Sequence, residues 1–195
     1  MQSAATLTLD RRVLADLVPS FAVRDAILVV AYAGLVGLLA QVVIVLPFTP
    51  VPITGQTFGV LLGGMALGWR RALAGMVLYV AVGLAGVHWF AQGEGGFGIL
   101  SAPSFGYLVG FVLAAGILGR LAEMGLDRNP VFTLVSMVAG NAVIYFFGVT
   151  WLMNAIHVGL GTAISLGLTP FLLGDAIKAL LAAGLLPGAW KLAGR

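Results

Sequence analysis

The chain alternates long apolar runs with short breaks rich in glycine, proline and polar residues. Six runs read as helices, at 26–46, 57–67, 72–87, 105–122, 131–152 and 170–190. A membrane crossing ordinarily takes about 20 apolar residues, so the second and third are expected to tilt or to borrow flanking residues. Residues 1–24 form a lead-in, expected as a short amphipathic helix. The fold class predicted is an all-α integral membrane protein: one membrane domain over 1–195, a six-helix bundle over 26–190, no internal repeat.

The polar residues fix how the runs are threaded. Arg11, Arg12 and Arg24 precede the first run, Arg70 and Arg71 follow the second, Arg120 and Arg128 follow the fourth, and Lys191 and Arg195 follow the sixth. The connections at 47–56, 88–104 and 153–169 contain no Lys or Arg. Nine of the ten basic residues thus fall on one side. The positive-inside rule makes that side cytoplasmic, with both termini inside.

Composition agrees with the bilayer as solvent. Hydrophobic residues make up 61% and charged residues 9%, with a mean hydropathy of +1.09, whereas a water-facing domain carries roughly 25% charged residues. The 28 glycines suit close helix packing. The net charge is +3, but the basic residues are scattered, which argues against a nucleic-acid partner. With no cysteine, disulfides and thiolate metal sites are excluded. The first 20 residues lack a basic start followed by an apolar run, so no cleaved signal peptide is expected.

Only Lys178 escapes the loop pattern. It lies in the sixth run with Asp175, three residues away and on the same helix face. Counted from Pro170 at 1.5 Å per residue, Asp175 lies roughly 8 Å and Lys178 roughly 12 Å below the outer surface. Counted from Pro130 through a core of about 30 Å, Asn141 lies roughly 14 Å below it. Ionisable groups at such depth face the bundle interior and commonly mark a site. Asp175 and Lys178 read either as a self-neutralising structural pair or as a ligand site opening outward. Asn141 reads either as a ligand contact or as glue between helices.

The outer connections supply further candidates. In "LPFTPVPITGQTFG" three prolines keep the chain out of helix, giving either a stiff turn or a lid, with Thr54, Gln56 and Thr57 as hydrogen-bonding groups. In "GVHWFAQGEGGFGIL", Trp89 and Phe90 are interfacial belt residues or stack on a ligand, and the glycines around Glu94 suit a gate. His88 and His157 stand alone, without a metal-ligand set. Ala33 and Gly37 form a small-xxx-small face, suited either to packing within the chain or to docking a membrane partner. No P-loop, HExxH or GxSxG is present, so an enzymatic reading rests on Asp175 and Lys178 alone.

The segment "PFTPVPITGQTFGVLLGGMALG" resembles the BioY family, the biotin-binding S-components of energy-coupling factor (ECF) vitamin transporters. "LYVAVGLAGV", "GEGGFGIL", "GYLVGF" and "LTPFLLGDAIKALLAA" follow in order. The resemblance implies a six-helix S-component that captures biotin from outside and carries no catalytic chemistry. It implies that Asn141, Asp175 and Lys178 hold the ureido ring, with Tyr79, Trp89, Phe90 and Tyr107 as apolar walls. Gln56, Gln92 or backbone N–H groups are then left for the biotin carboxylate. Biotin is the transported ligand and no cofactor is expected. The implied partners are a transmembrane coupling (T) component and cytoplasmic ATPase subunits, in the cytoplasmic membrane of a bacterium or archaeon. Where the family commonly reads Gly-Pro-Thr-Gly-Gly-Tyr, this chain has Ala102–Tyr107 with Phe105 in place of a glycine. The alternatives are an S-component for another vitamin, an intramembrane enzyme using Asp175 and Lys178, and a scaffold protein.

Overall fold

The computed structural model describes residues 12–19 and 23–194. Arg11, Arg195 and most of the predicted lead-in helix lie outside the described residues. Among them the chain forms seven α-helices: α1 (Arg24–Ala40), α2 (Gln56–Leu67), α3 (Trp69–Leu84), α4 (Phe105–Glu123), α5 (Pro130–Ala155), α6 (Leu160–Gly167) and α7 (Leu172–Leu192). By length and composition, α4, α5 and the Leu160–Leu192 segment are long and apolar enough to cross a membrane. α2 has 12 residues and α3 has 16, short as the sequence predicted.

Two connections hold structure that the apolar runs conceal. α1 ends at Ala40, six residues before the predicted boundary. Four β-branched residues follow at 42–45, and Pro47 biases Leu46 away from helix. The chain turns instead into strand β1 (Val43–Ile44), antiparallel to β2 (Ile53–Thr54), with Val43 opposite Thr54. The first connection is thus a β-hairpin of two-residue strands within an otherwise helical chain. The second is α6, inside the connection predicted at 153–169. It is too short to stand alone, and Ala163 and Gly167 bury its inner face. The predicted start of the last helix, Pro170, lies in a 3₁₀ turn, and α7 begins at Leu172.

α4 is the hub, packed on α2, α3 and α5, while α1 lies on α3 and α7 on α5. Glycine makes the approach possible: a Cβ at Gly110 would lie 2.8 Å from the Cα of Ile144, and one at Gly119 would lie 2.4 Å from the backbone nitrogen of Trp69. The Tyr32 hydroxyl donates to the Val60 carbonyl at 2.8 Å, tying α1 to α2. Ala33 and Gly37 are buried on this inner face. A Cβ at Gly37 would stand 3.1 Å from the Trp89 ring. Of the two sequence readings, packing within the chain describes this face here. Docking is corrected to that extent, because both residues are already covered.

The described arginines gather at the end that also holds Asp16 and the last turns of α7. Arg71 bonds Asp16 at 2.8 Å and Asp25 at 3.1 Å. These ion pairs hold the 3₁₀ turn Leu14–Leu17 against the bundle, and Val13 beside it is buried in the core. Asn129 caps α5 by accepting from the Val131 N–H at 2.8 Å, with Pro130 in the first turn. Next to it, buried Asp127 accepts from the Trp190 indole N–H at 2.6 Å, joining the α4–α5 turn to the end of α7. The hairpin, α6 and the 3₁₀ turns Ala91–Gly93 and Phe97–Ser101 make up the opposite end.

Candidate functional site

A cleft opens at the end of the bundle that carries the hairpin. Its walls come from β2 and the start of α2 (Thr54, Gln56, Thr57), the loop after α3 (Phe90, Glu94), α4 (Tyr107, Phe111), α5 (Ile144, Tyr145) and α7 (Asp175, Lys178). The cleft and its mouth, open solvent included, hold about 620 Å³ free of atoms. Val51 and Pro52 of the hairpin loop lie over it. That loop is fastened across the opening, since the Thr49 hydroxyl donates to the Leu166 carbonyl of α6 at 2.8 Å.

The polar wall is built on one turn of α7. Lys178 Nζ lies 2.9 Å from Asp175 Oδ1. It also donates to Thr57 Oγ1 at 2.6 Å and to the Thr54 carbonyl at 3.0 Å. An ammonium has three N–H groups, so all of them are engaged. Thr57 Oγ1 in turn donates to Asp175 Oδ1 at 3.2 Å. The other carboxylate oxygen, Oδ2, accepts from the Tyr145 hydroxyl. Asp175 and Tyr145 are both buried. The wall is therefore neutral and internally satisfied, which is what a charge pair in a low-dielectric interior requires. It keeps the sequence reading of a self-neutralising pair and places that pair in the wall of a cleft. An unused lone pair on Asp175 Oδ2 is its free acceptor capacity. Lys178 can donate to a ligand only by releasing Thr57 or Thr54.

The other predicted residues divide. Phe90 and Tyr107 line the cleft. The Tyr107 hydroxyl donates to the Gly167 carbonyl at 2.6 Å, so its ring is what it offers a ligand. Gln56 lines the cleft and donates from Nε2 to the Tyr79 hydroxyl at 2.8 Å. Tyr79 is fully buried behind it, and Trp89 lies behind as well, donating from its indole to the Tyr79 carbonyl at 3.0 Å. These two support the wall without lining it, which corrects their predicted role. Asn141 faces a neighbouring apolar groove between α5, α6 and α7, which it shares with Tyr145 and Asp175. It sits one turn below Tyr145 on α5, and its Oδ1 is buried without a partner. Phe105 packs edge-on against Trp151, with ring centroids 5.2 Å apart, away from the cleft lining. Gln92 is likewise outside the lining and has φ of 63°.

Sequence reasoning missed Tyr145 and Gln41. Tyr145 stands four residues after Asn141, hence on the same helix face, which was the available signal. Gln41 follows α1 and donates from Nε2 to the carbonyls of Trp89 at 3.1 Å and Phe90 at 3.3 Å, anchoring the loop that carries both.

A fold comparison matches the S-component for biotin of an ECF-type ABC transporter, with a TM-score of 0.79 over 87% of this chain and 92% of that one at 24% identity. Among curated relatives, the biotin transporter BioY of Rhizobium etli is 35% identical over 82% of this chain and 89% of its own length. That of Thermotoga maritima is 39% identical over 71% of this chain and 80% of its own. The sequence model of the BioY family matches residues 9–195. The chain belongs to the BioY family.

Proposed function

We propose that this chain captures biotin at its outer end and delivers it across the cytoplasmic membrane as the S-component of an ECF transporter. The observation that carries the reading is the Asp175–Lys178 pair, set with Thr57 and Tyr145 in an otherwise largely apolar cleft. A cyclic urea presents two N–H donors and one carbonyl acceptor. Asp175 Oδ2 keeps a lone pair for an N–H, and the Gln56 amide borders the same cleft. The urea carbonyl takes the place of Thr57 or Thr54 on Lys178. Phe90, Tyr107 and Phe111 supply surface for the ring system and alkyl chain. The curated relatives are named biotin transporters, which supports uptake over an intramembrane reaction at Asp175 and Lys178. A T-component and cytoplasmic ATPases are the partners this role requires.

The test is to purify the chain from cells grown in complex medium and identify the retained small molecules by mass spectrometry. The expected result is one biotin per chain. Retention of a different vitamin would replace the ligand. A chain that is folded, empty and silent to added biotin would overturn the proposal.

A further inference from the structure

At the arginine-rich end, far from the cleft residues, a second groove lies between the start of α3 and the end of α4. It is lined by Trp69, Arg70, Gly116, Ile117, Arg120 and Glu123. The Arg70 guanidinium lies over the Trp69 ring, 5.4 Å from its centroid. Unlike Arg71, which is doubly paired, Arg70 makes no ion pair among the described residues. Arg120 bonds Glu123 at 2.8 Å, and Glu123 also accepts from the Trp69 backbone N–H at 3.3 Å. The groove thus sets two guanidinium groups against one carboxylate that is already engaged. Its floor is open at Gly116, where an added Cβ would meet only Leu73, at 3.5 Å. Toward the middle of the bundle it runs onto exposed Ile117 and Leu113 of α4 and exposed Val77 of α3.

We infer that this groove holds an anionic phospholipid of the leaflet at that end. The phosphate sits between Arg70 and Arg120, and an acyl chain lies along Ile117 and Leu113. Charge and shape carry the inference together. A basic pocket between transmembrane helices suits an acidic headgroup, Trp69 beside the arginines is of the residue type enriched at membrane interfaces, and the adjoining stripe is apolar. A soluble anion would use the arginines but leave the stripe uncovered.

The experiment is native mass spectrometry of the full-length chain after delipidation, with phosphatidylglycerol or phosphatidylcholine added back. The wild type should retain phosphatidylglycerol in preference. Each arginine near an anionic lipid is worth about fivefold. Arg70→Gln should therefore reduce the preference about fivefold, and Arg70→Gln with Arg120→Gln roughly thirtyfold. Arg70→Gln disturbs no ion pair, so it remains informative if the double variant melts early. Biotin affinity should be unchanged in Arg70→Gln, because the cleft lies at the other end. Equal retention of both lipids, or a preference intact in Arg70→Gln, would overturn the assignment. So would displacement of the lipid by inorganic phosphate alone, or a dimer mass in place of a lipid adduct.

Discussion

Replacing Gly37 with leucine tests how α1 supports the cleft. The Cβ alone would stand 3.1 Å from Trp89 Cε3 and 3.3 Å from Cδ2, inside the ~3.5–4.0 Å of ordinary carbon contact. Leucine adds three more carbons on a fully packed face. Overpacking of this kind costs about 1–3 kcal/mol. Trp89 cannot yield without consequence, because its indole is bonded to the Tyr79 carbonyl, and the Tyr79 hydroxyl holds Gln56 at the cleft wall. Misaligning that one buried hydrogen bond is worth about 1 kcal/mol, or roughly fivefold in affinity. The purified variant should melt earlier and bind biotin roughly fivefold more weakly, by calorimetry in detergent. Gly37→Ala should shift both in the same direction and by less. If Gly37→Leu instead keeps stability and affinity while transport in cells is lost, then the Ala33–Gly37 face docks a partner after all and the packing reading fails.

Tyr145→Phe removes the hydroxyl that donates to Asp175 Oδ2, and a hydrogen bond to a charged group contributes about 1.5–3 kcal/mol. The variant should melt earlier yet lose less biotin affinity than Asp175→Asn, since a ligand N–H can occupy the freed oxygen; an unchanged melting temperature would contradict the network. Burial raises the Asp127 carboxyl above its ordinary range, opposed by the Trp190 N–H, its own backbone N–H and Arg128. With the folded value above the unfolded one, stability rises as pH falls through the folded value and levels off below the unfolded one, about 3.9. Asp127→Asn should flatten that acid-side gain, read as melting temperature from about pH 7 down to about pH 4; identical profiles would contradict it. Cysteine at Gly161, where an added Cβ meets open space, should react with an impermeant thiol reagent applied to whole cells, and cysteine at exposed Met124 should not. Reversed labelling would invert the topology, and the native chain contributes no background because it has no cysteine.

Several helix ends were legible because apolar runs are bounded by Gly68, the Arg70–Arg71 pair and Pro130. α2 begins one residue from its predicted start, and α4 begins at Phe105 as predicted. The hairpin was hidden because residues 42–45 are apolar and extend a helical run without a break; only their β-branching marks a strand. α6 was hidden by Gly159, Gly161 and Gly167, which read as loop although Ala163 packs into the core. Asp175 and Lys178 stood out because charges are rare in this sequence. Tyr145 did not, because a tyrosine in an apolar helix reads as core until a partner is seen. The same limit applies to Tyr79 and Trp89: the sequence shows aromatic surface near the cleft, and only packing shows that it stands behind Gln56.

Titration of the purified chain with biotin, for the wild type and for Asp175→Asn with Lys178→Met, probes the polar wall most directly. Removing both charges together avoids stranding either one in the interior, where an unpaired charge costs about 3–5 kcal/mol. The wild type should bind one biotin per chain. The double variant should melt near the wild type and bind roughly tenfold to a hundredfold more weakly, the loss of one charge-assisted hydrogen bond. A folded double variant with wild-type affinity would contradict the assignment of Asp175 and Lys178 to the biotin site.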